Sequence, residues 1–544
     1  MALAATTIWE VQTGGSDANN GGAFDPGQTA GMFTDGAATV ATSAAPVFTS
    51  ASYNFVAGDV SAWLYIASGT NWIAGWYKIA SVAANAATLT ATAGTAVKST
   101  RTPTTLTGCA TVASPTGATW SIDYSQQAGA EKTYTDITST GVGLTATSAA
   151  NPFGKQQVGN CLVCTGGTNF LTGRYVLASV SGVTGTFIGP TNLHNNAGTN
   201  NNGTGGMGGA LLTLGTPNGI MVSGNCCYVA AGTYVITSGI TLTAGAASLN
   251  KRWYGYTTVR GDNGKATVQL SGSTLTAITM SNANTTFQNF ILDANSQTAS
   301  ICLSISAATS YANNIKCMNF TGAQAVVVTG GASASNIWAT GGSSASTQAF
   351  IVNSASSTLF YCIASGNACR GFTAGAACAF VGCIAANNTG ASTDGFVSAT
   401  SSNFRMVNCI AYTNARDGIR VSVGLFDAAV LVNNIAYGNG GVDINETGTA
   451  VTDGQLYFDY NAYATKTGLP VGIHDVLLTA IDPFIAGASL NFSLNTTANG
   501  GAILRAAGFP GVFVDGGSTG YSDIGPIEHH DPFFHTGMAG GFPA

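Results

Sequence analysis

Charge is the first thing this 544-residue chain lacks: Lys, Arg, Asp and Glu together make up 7% of it, where an ordinary globular protein carries about 25%. With a net charge of −6 and no basic stripe, nucleic acid is not an expected partner. Long apolar runs are also missing, so no membrane span is expected. The start, Met1-Ala-Leu-Ala-Ala-Thr-Thr-Ile-Trp-Glu10, lacks both a basic region and an apolar core. A Sec signal peptide is therefore not expected, and release by host lysis within a virus particle is one route that needs none. The shortage of charge is not disorder, because 45% of the residues are hydrophobic and 72 are glycine.

What is present is a repeat. Asn289-Phe290-Ile291 is answered by Asn313-Asn314-Ile315, Asn336-Ile337, Cys362-Ile363, Cys383-Ile384, Cys409-Ile410 and Asn434-Ile435. Successive isoleucines lie 24, 22, 26, 21, 26 and 25 residues apart. A second apolar column runs in step through Phe350, Phe372, Phe396, Ile419 and Val442. Two columns sharing a period of about 24, separated by Gly/Ser/Asn turns, predict an all-β solenoid of short parallel strands. Stacked at about 4.8 Å per rung, equivalent side chains form ladders. One such ladder is expected at Asn314, Asn336, Cys362, Cys383, Cys409 and Asn434. The cysteines of this chain are thus expected to be buried and reduced. Parallel side-chain directions on adjacent rungs disfavour the disulfide, and Cys161-Leu-Val-Cys164 has no second pair beside it.

The first 200 residues hold a duplication. Leu64-Tyr-Ile-Ala-Ser-Gly-Thr-Asn-Trp72 matches Leu162-Val-Cys-Thr-Gly-Gly-Thr-Asn-Phe170, and Gly75-Trp-Tyr-Lys-Ile-Ala-Ser-Val82 matches Gly173-Arg-Tyr-Val-Leu-Ala-Ser-Val180. Two small β sandwiches or barrels are expected, over residues 1–105 and 106–194, followed by a Gly/Asn linker at 195–209. The solenoid is placed at 210–470, a C-terminal segment covering the last coil at 471–528, and a tail at 529–544. The tail carries Glu528-His529-His530-Asp531 and His535; two adjacent His with flanking carboxylates could hold a metal, but a floppy terminus is the expected account and no metal site is assigned.

The phrase Val229-Ala-Ala-Gly-Thr-Tyr234, with Trp253-Tyr-Gly-Tyr256 and Arg260-Gly-Asp262 after it, resembles the opening coils of right-handed parallel β-helix proteins of the pectin-lyase type. Arg260-Gly-Asp262 reads as a turn rather than an integrin ligand. The chain also resembles a protein type found in environmental tailed-phage genomes, through Trp9-Glu-Val-Gln-Thr-Gly-Gly15, Asn19-Asn-Gly-Gly22, Asp123-Tyr-Ser-Gln-Gln127 and Ser522-Asp-Ile-Gly525. That resemblance implies a virion-associated β-helix protein and no particular catalytic activity.

Enzymes resemble this fold too. The Asn-Thr-Asp, Asp-Asp and Gly-His-Gly set of polygalacturonases is missing, since Gly472-Ile-His-Asp475 lacks the second glycine. The nearest approach to an acid site is the column Arg370, Asp394 and Asp417, with Arg405, Arg416 and Arg420 close in sequence. Two carboxylates on successive rungs suit glycoside chemistry if exposed and at the right separation. Asp-Gly is also ordinary turn chemistry. For glycan contact the candidates are Tyr412, Asn414, Tyr437 and Asn439, with Asn387 and Asn388, as hydroxyl, amide and aromatic groups following the isoleucines. Three readings stay open: a virion surface protein (spike, fibre or head decoration), a polysaccharide-cleaving enzyme, or a cell-surface adhesin or filament subunit. The first carries further expectations: a homo-oligomer, favouring a trimer; other virion proteins held through residues 1–200; polysaccharide contact; no cofactor; and a place on the virion surface, extracellular after lysis.

Overall fold

The duplicated modules fold as two closed β-barrels with the same circular strand order. In the first, Val47–Thr49, Phe33–Thr39, Ala118–Asp123, Trp63–Ser68, Gly75–Ala83 and Ala86–Gly94 pair in that sequence, and Val47–Thr49 pairs back onto Ala86–Gly94. In the second the order is Thr145–Ala146, Lys132–Thr140, Thr199–Met207, Cys161–Thr168, Gly173–Ser181 and Thr184–Ile188, closed where Thr145–Ala146 meets both Thr184–Ile188 and Lys132–Thr140. Each strand of one barrel thus has its counterpart in the other. The computed structural model describes residues 7–24, 33–94, 104–105, 108–189, 191–196, 198–258, 260–322, 324–344, 347–375, 377–391, 393–398, 404–423, 429–448, 456–505, 507–509 and 523–527. The expected tail lies outside them. Two compact units result: Met1–Tyr234 with Thr243–Thr267 and Asn284–Phe290, and Val235–Leu242 with Val268–Ala283 and Ile291–Ala544.

Two expectations fail in the first unit. Ala118–Asp123 belongs to the first barrel, beyond the expected boundary at 105. The supposed linker is the strand Thr199–Met207, paired on both edges. Its glycines look like low complexity but serve close packing. A Cβ at Gly205 would lie 2.2 Å from the Val163 carbonyl oxygen, and one at Gly203 would meet Ile137 and Phe170.

The N-terminus departs from expectation as well. Thr7–Val11 is no part of a barrel; it runs parallel to Cys226–Ala230, which runs parallel to Lys251–Tyr256. The barrels are therefore inserted between the first and second rungs of a solenoid. A buried ion cluster fixes the insertion. Arg260, fully buried, donates to Glu10 from Nε at 2.7 Å and to Ser125 Oγ from Nη2 at 2.8 Å, with Asp123 at 3.8 Å. The Tyr256 hydroxyl donates to the other Glu10 oxygen. The Arg-Gly-Asp triplet is accordingly a turn, its Asp262 accepting the backbone N–H of Thr257, Thr258 and Gly264.

The second unit is a parallel β-solenoid. One of its sheets stacks ten strands, from Ile240–Thr241 to Lys466–Thr467. Phe350, Phe372, Phe396 and Ile419 form the expected inner column, with successive Phe rings 4.6 and 4.8 Å apart and nearly parallel. Ile444, not Val442, follows Ile419, because the intervening turn is two residues longer. In the other sheet the later coils make two short strands, such as Ser357–Phe360 and Ile363–Ser365, on either side of a corner of positive φ, while Tyr311–Met318 and Ser333–Thr340 run on as single strands through theirs.

That corner corrects the first ladder. Ser335 pairs with Phe360 and Trp338 with Ile363, so Ile337 shares a column with Cys362. The inner ladder is Ile337, Cys362, Cys383, Cys409, Asn434 and Asn461. Asn314 and Asn336 sit at the corner instead, with φ of 52° and 51°. All twelve cysteines are free and buried, as expected. The Cys383 and Cys409 thiols each approach a carbonyl of the preceding rung at 3.5 Å, the place taken by the Asn434 and Asn461 amides two and three rungs later. Stepping one residue on, Ile363, Ile384, Ile410 and Ile435 point out of the coil. There they pack against Leu478, Phe484, Phe492, Leu494, Leu504 and Ile524. The C-terminal segment thus covers a flank of the solenoid as well as its last coil.

Beside the barrels, Glu131 accepts a hydrogen bond from Gln157 at 2.7 Å, and burial raises its carboxyl to about 7, with Asp59 adding to the rise. The folded state therefore holds this proton more tightly than the unfolded one. The stabilisation is complete below about pH 4.5 and is lost as pH rises through about 7. For a partly exposed group the loss is about 1–2 kcal/mol. Glu131→Gln should flatten this slope and raise Tm at pH 8, as thermal melts between pH 5 and 8 would register.

Candidate functional site

Arg370, Asp394 and Asp417 occupy successive rungs at the start of the strands Arg370–Ala374, Phe396–Ser398 and Ile419–Val423. Backbone bonds lock them there: Gly371 N–H donates to the Asp394 carbonyl at 3.1 Å and Gly395 N–H to the Asp417 carbonyl at 2.9 Å. The glycine after each Asp is required by close approach, since a Cβ at Gly395 would lie 2.5 Å from the Gly418 carbonyl oxygen. The sequence placed these residues correctly on neighbouring rungs.

Their chemistry is not that of an acid–base pair. Asp394 is completely buried and Asp417 5% exposed, whereas glycoside cleavage needs both carboxyl groups at the substrate. Arg416 grips Asp394 with two guanidinium nitrogens, Nε lying 2.5 Å from Oδ1. Arg370 Nε lies 3.8 Å and Arg420 Nη1 3.9 Å from Oδ2. Asp417 accepts the Val442 N–H at 3.0 Å and the Asn445 amide at 2.8 Å. Its own N–H donates to Asp394 at 3.3 Å. The hydrogen bond to Asp394 raises the already high pKa of Arg416. Three guanidinium groups around one carboxylate leave the outward face of the cluster cationic. Arg405 does not join them; it pairs in register with Ala379 and Val430 on the other sheet.

The glycan candidates are engaged within the fold: Tyr412, Asn388 and Asn414 are buried, and Asn387, Tyr437 and Asn439 are partly so. Tyr412 is packed edge-on against Phe484 and Phe492, and its hydroxyl donates to Asp482 at 2.8 Å. Tyr437 is stacked beside it and packs against the same covered cluster. Asn388, Asn414 and Asn439 belong to an internal amide ladder. Asn367 donates to Asn388 at 3.0 Å, Asn388 to Asn414 at 2.8 Å, Asn414 to Asn439 at 3.0 Å, and Asn439 to Asp443 at 2.9 Å. Asn387 donates to the Ala488 carbonyl of the covering segment. Sequence reasoning saw these residues recur but missed their carboxylate terminus, Asp443. The signal was there, in an Asp four residues beyond the last Asn of the series. Among the described residues no three His, Cys, Asp or Glu side chains group as a metal site.

No protein-family model matches the chain, and no curated protein does. Among solved structures, a pectate lyase, Pel9A, is similar over 59% of this chain and 92% of its own at 14% identity and a TM-score of 0.41. A rhamnogalacturonan lyase is similar over 50% and 81%, at 12% identity and a TM-score of 0.30. ORF18 of Geobacillus virus E2 is similar over 44% of this chain and 52% of its own, at 11% identity and a TM-score of 0.28. These likenesses concern the β-helix scaffold, which the strand pairing here establishes on its own.

Removing the carboxylate should release the arginines. Asp394→Asn leaves Arg416 without its charged partner and should cost about 2–3 kcal/mol, less than for a wholly buried pair because the arginines are partly exposed. Chemical denaturation of the variant measures this directly.

Proposed function

We propose that the protein is a non-enzymatic surface protein of a tailed-phage particle, whose β-solenoid contacts host-surface glycan. The observation that carries the non-enzymatic part is the state of the acid pair: Asp394 is clasped by arginine and Asp417 is occupied by backbone and amide donors. Both serve the rung structure. In this reading the inserted barrels attach the protein to other particle components. Copies associate as a homo-oligomer, with a trimer favoured. A spike, a fibre and a head decoration are all compatible with it, and the resemblance to phage proteins in the opening and closing phrases supports it.

The competing reading is a polysaccharide lyase or glycosidase on the same scaffold. Incubating the protein with host envelope polysaccharide and following chain length separates them. The expected outcome is retention of full chain length with measurable binding. Shortening that disappears in Asp417→Asn would overturn the non-enzymatic assignment.

A further inference from the structure

Each coil turns its corner on one residue of positive φ, a conformation that suits Asn or Gly. The corner column reads Asn314, Asn336, Tyr361, Gly382, Asn408 and Asn433. Two tyrosines share that column, Tyr361 at φ 52° and, on the rung after Asn433, Tyr460 at φ 58°. Tyr460 is stacked on His474, whereas no aromatic ring stacks on Tyr361 among the described residues. A bulky side chain held in this region is strained. Nor is the ring there to fill a core. Tyr361 is 50% exposed, and Phe360 beside it 37%.

The surroundings are built to hold the ring in place. On the next rung the column offers Gly382, where a Cβ would come 2.5 Å from Tyr361 Cδ1 and 2.6 Å from Cε1. The ring therefore lies against bare backbone, a position that any other residue at 382 would deny it. On the preceding rungs Asn336 is exposed, and its amide donates to Asn313 at 2.9 Å. The half-exposed Tyr311 shares a hydrogen bond of 2.7 Å with Ser335. Aromatic faces, an amide and a hydroxyl thus lie on neighbouring rungs, and the exposed Arg405 stands in the column of Tyr311 two rungs beyond Thr358.

We propose that Tyr361 and Phe360 form the stacking platform of a glycan subsite, with Asn336 and Tyr311 placed to bond sugar hydroxyls. The inference rests on the glycan-contact reading above and moves that contact off the flank covered by the C-terminal segment. A pyranose ring presents an apolar C–H face to an aromatic ring and a rim of hydroxyls to amides, which is the mix found here. Groups repeating from rung to rung suit a linear polymer lying along the solenoid.

Tyr361→Gly is the informative variant, because glycine accepts the corner conformation without strain. Full-length wild type and variant would be compared on a printed array of purified bacterial surface polysaccharides, with Tm measured in parallel. The wild type is expected to bind at least one polysaccharide. The variant is expected to lose about tenfold or more in affinity for it, while its Tm stays at or above that of the wild type. Unchanged binding by the variant overturns the platform and leaves glycan contact standing. Absence of wild-type binding across the array overturns both. A fall in Tm would make Tyr361 a packing residue and overturn the subsite. Self-association of the wild type that the variant loses, without any bound polysaccharide, would make the surface a contact between copies and overturn it equally.

Discussion

The constraint on which the solenoid depends is the corner residue. Parallel rungs bond through their backbones, so each coil must turn at the same place and in the same way as its neighbour. The turn is made by one residue with φ between 51° and 65° at Asn336, Tyr361, Gly382, Asn408 and Asn433. Side chains in a strand alternate faces, so fixing the corner fixes what points inward on either side of it. The first residue after the corner is Cys362, Cys383, Cys409 or Asn434, and it faces the core. The second is Ile363, Ile384, Ile410 or Ile435, and it faces out. A column of outward isoleucines needs a cover, and the C-terminal segment supplies one. The existence of that segment follows from the position of the corner.

The period was legible in the sequence and the parity was not. Recurrence of a side chain identifies columns, but inward and outward columns recur alike. Ile337 directly follows its corner residue and points in, whereas Ile363 follows one residue later and points out. Aligning the two isoleucines therefore merged two faces and placed Asn314 and Asn336 in the wrong ladder. The phenylalanine column escaped this error because its rings stack without any shift of register from Phe350 to Phe396. The same parity explains the glycan candidates: Tyr412 and Tyr437 stand two residues beyond outward isoleucines and lie on the covered flank.

Other features were hidden for different reasons. The N-terminal strand pairs with residues more than two hundred positions away, and no local pattern announces a rung interrupted by two barrels. Glycines in Thr199–Met207 admit close neighbouring backbone rather than a turn. Composition alone cannot separate those two uses of glycine. The Asp-Gly pairs at 394 and 417 were legible in position, but their bonding was not, since the carboxylates bond between rungs rather than within their own turns.

Scarce charge is the thread joining fold to function. The ladder of amides from Asn367 to Asn439 runs in one direction, each donating to the next, and so needs an acceptor at its end; Asp443 provides it. In the shorter ladder Asn434 donates to Asn461, whose own amide donates to the Leu431 and Asp459 carbonyls while its backbone N–H donates to Asp475. Aligned amide dipoles strengthen one another, and a full negative charge at the accepting end completes the series. Glu10 with Arg260, and Asp394 with Arg416, close two further structural sites. A carboxylate that terminates a ladder or neutralises a buried guanidinium has its lone pairs occupied and its solvent excluded, so it has nothing left with which to take up a substrate proton. These acids are committed to the scaffold. The corner held by Tyr361 stands apart from them, since a half-exposed ring at positive φ takes no part in these ladders.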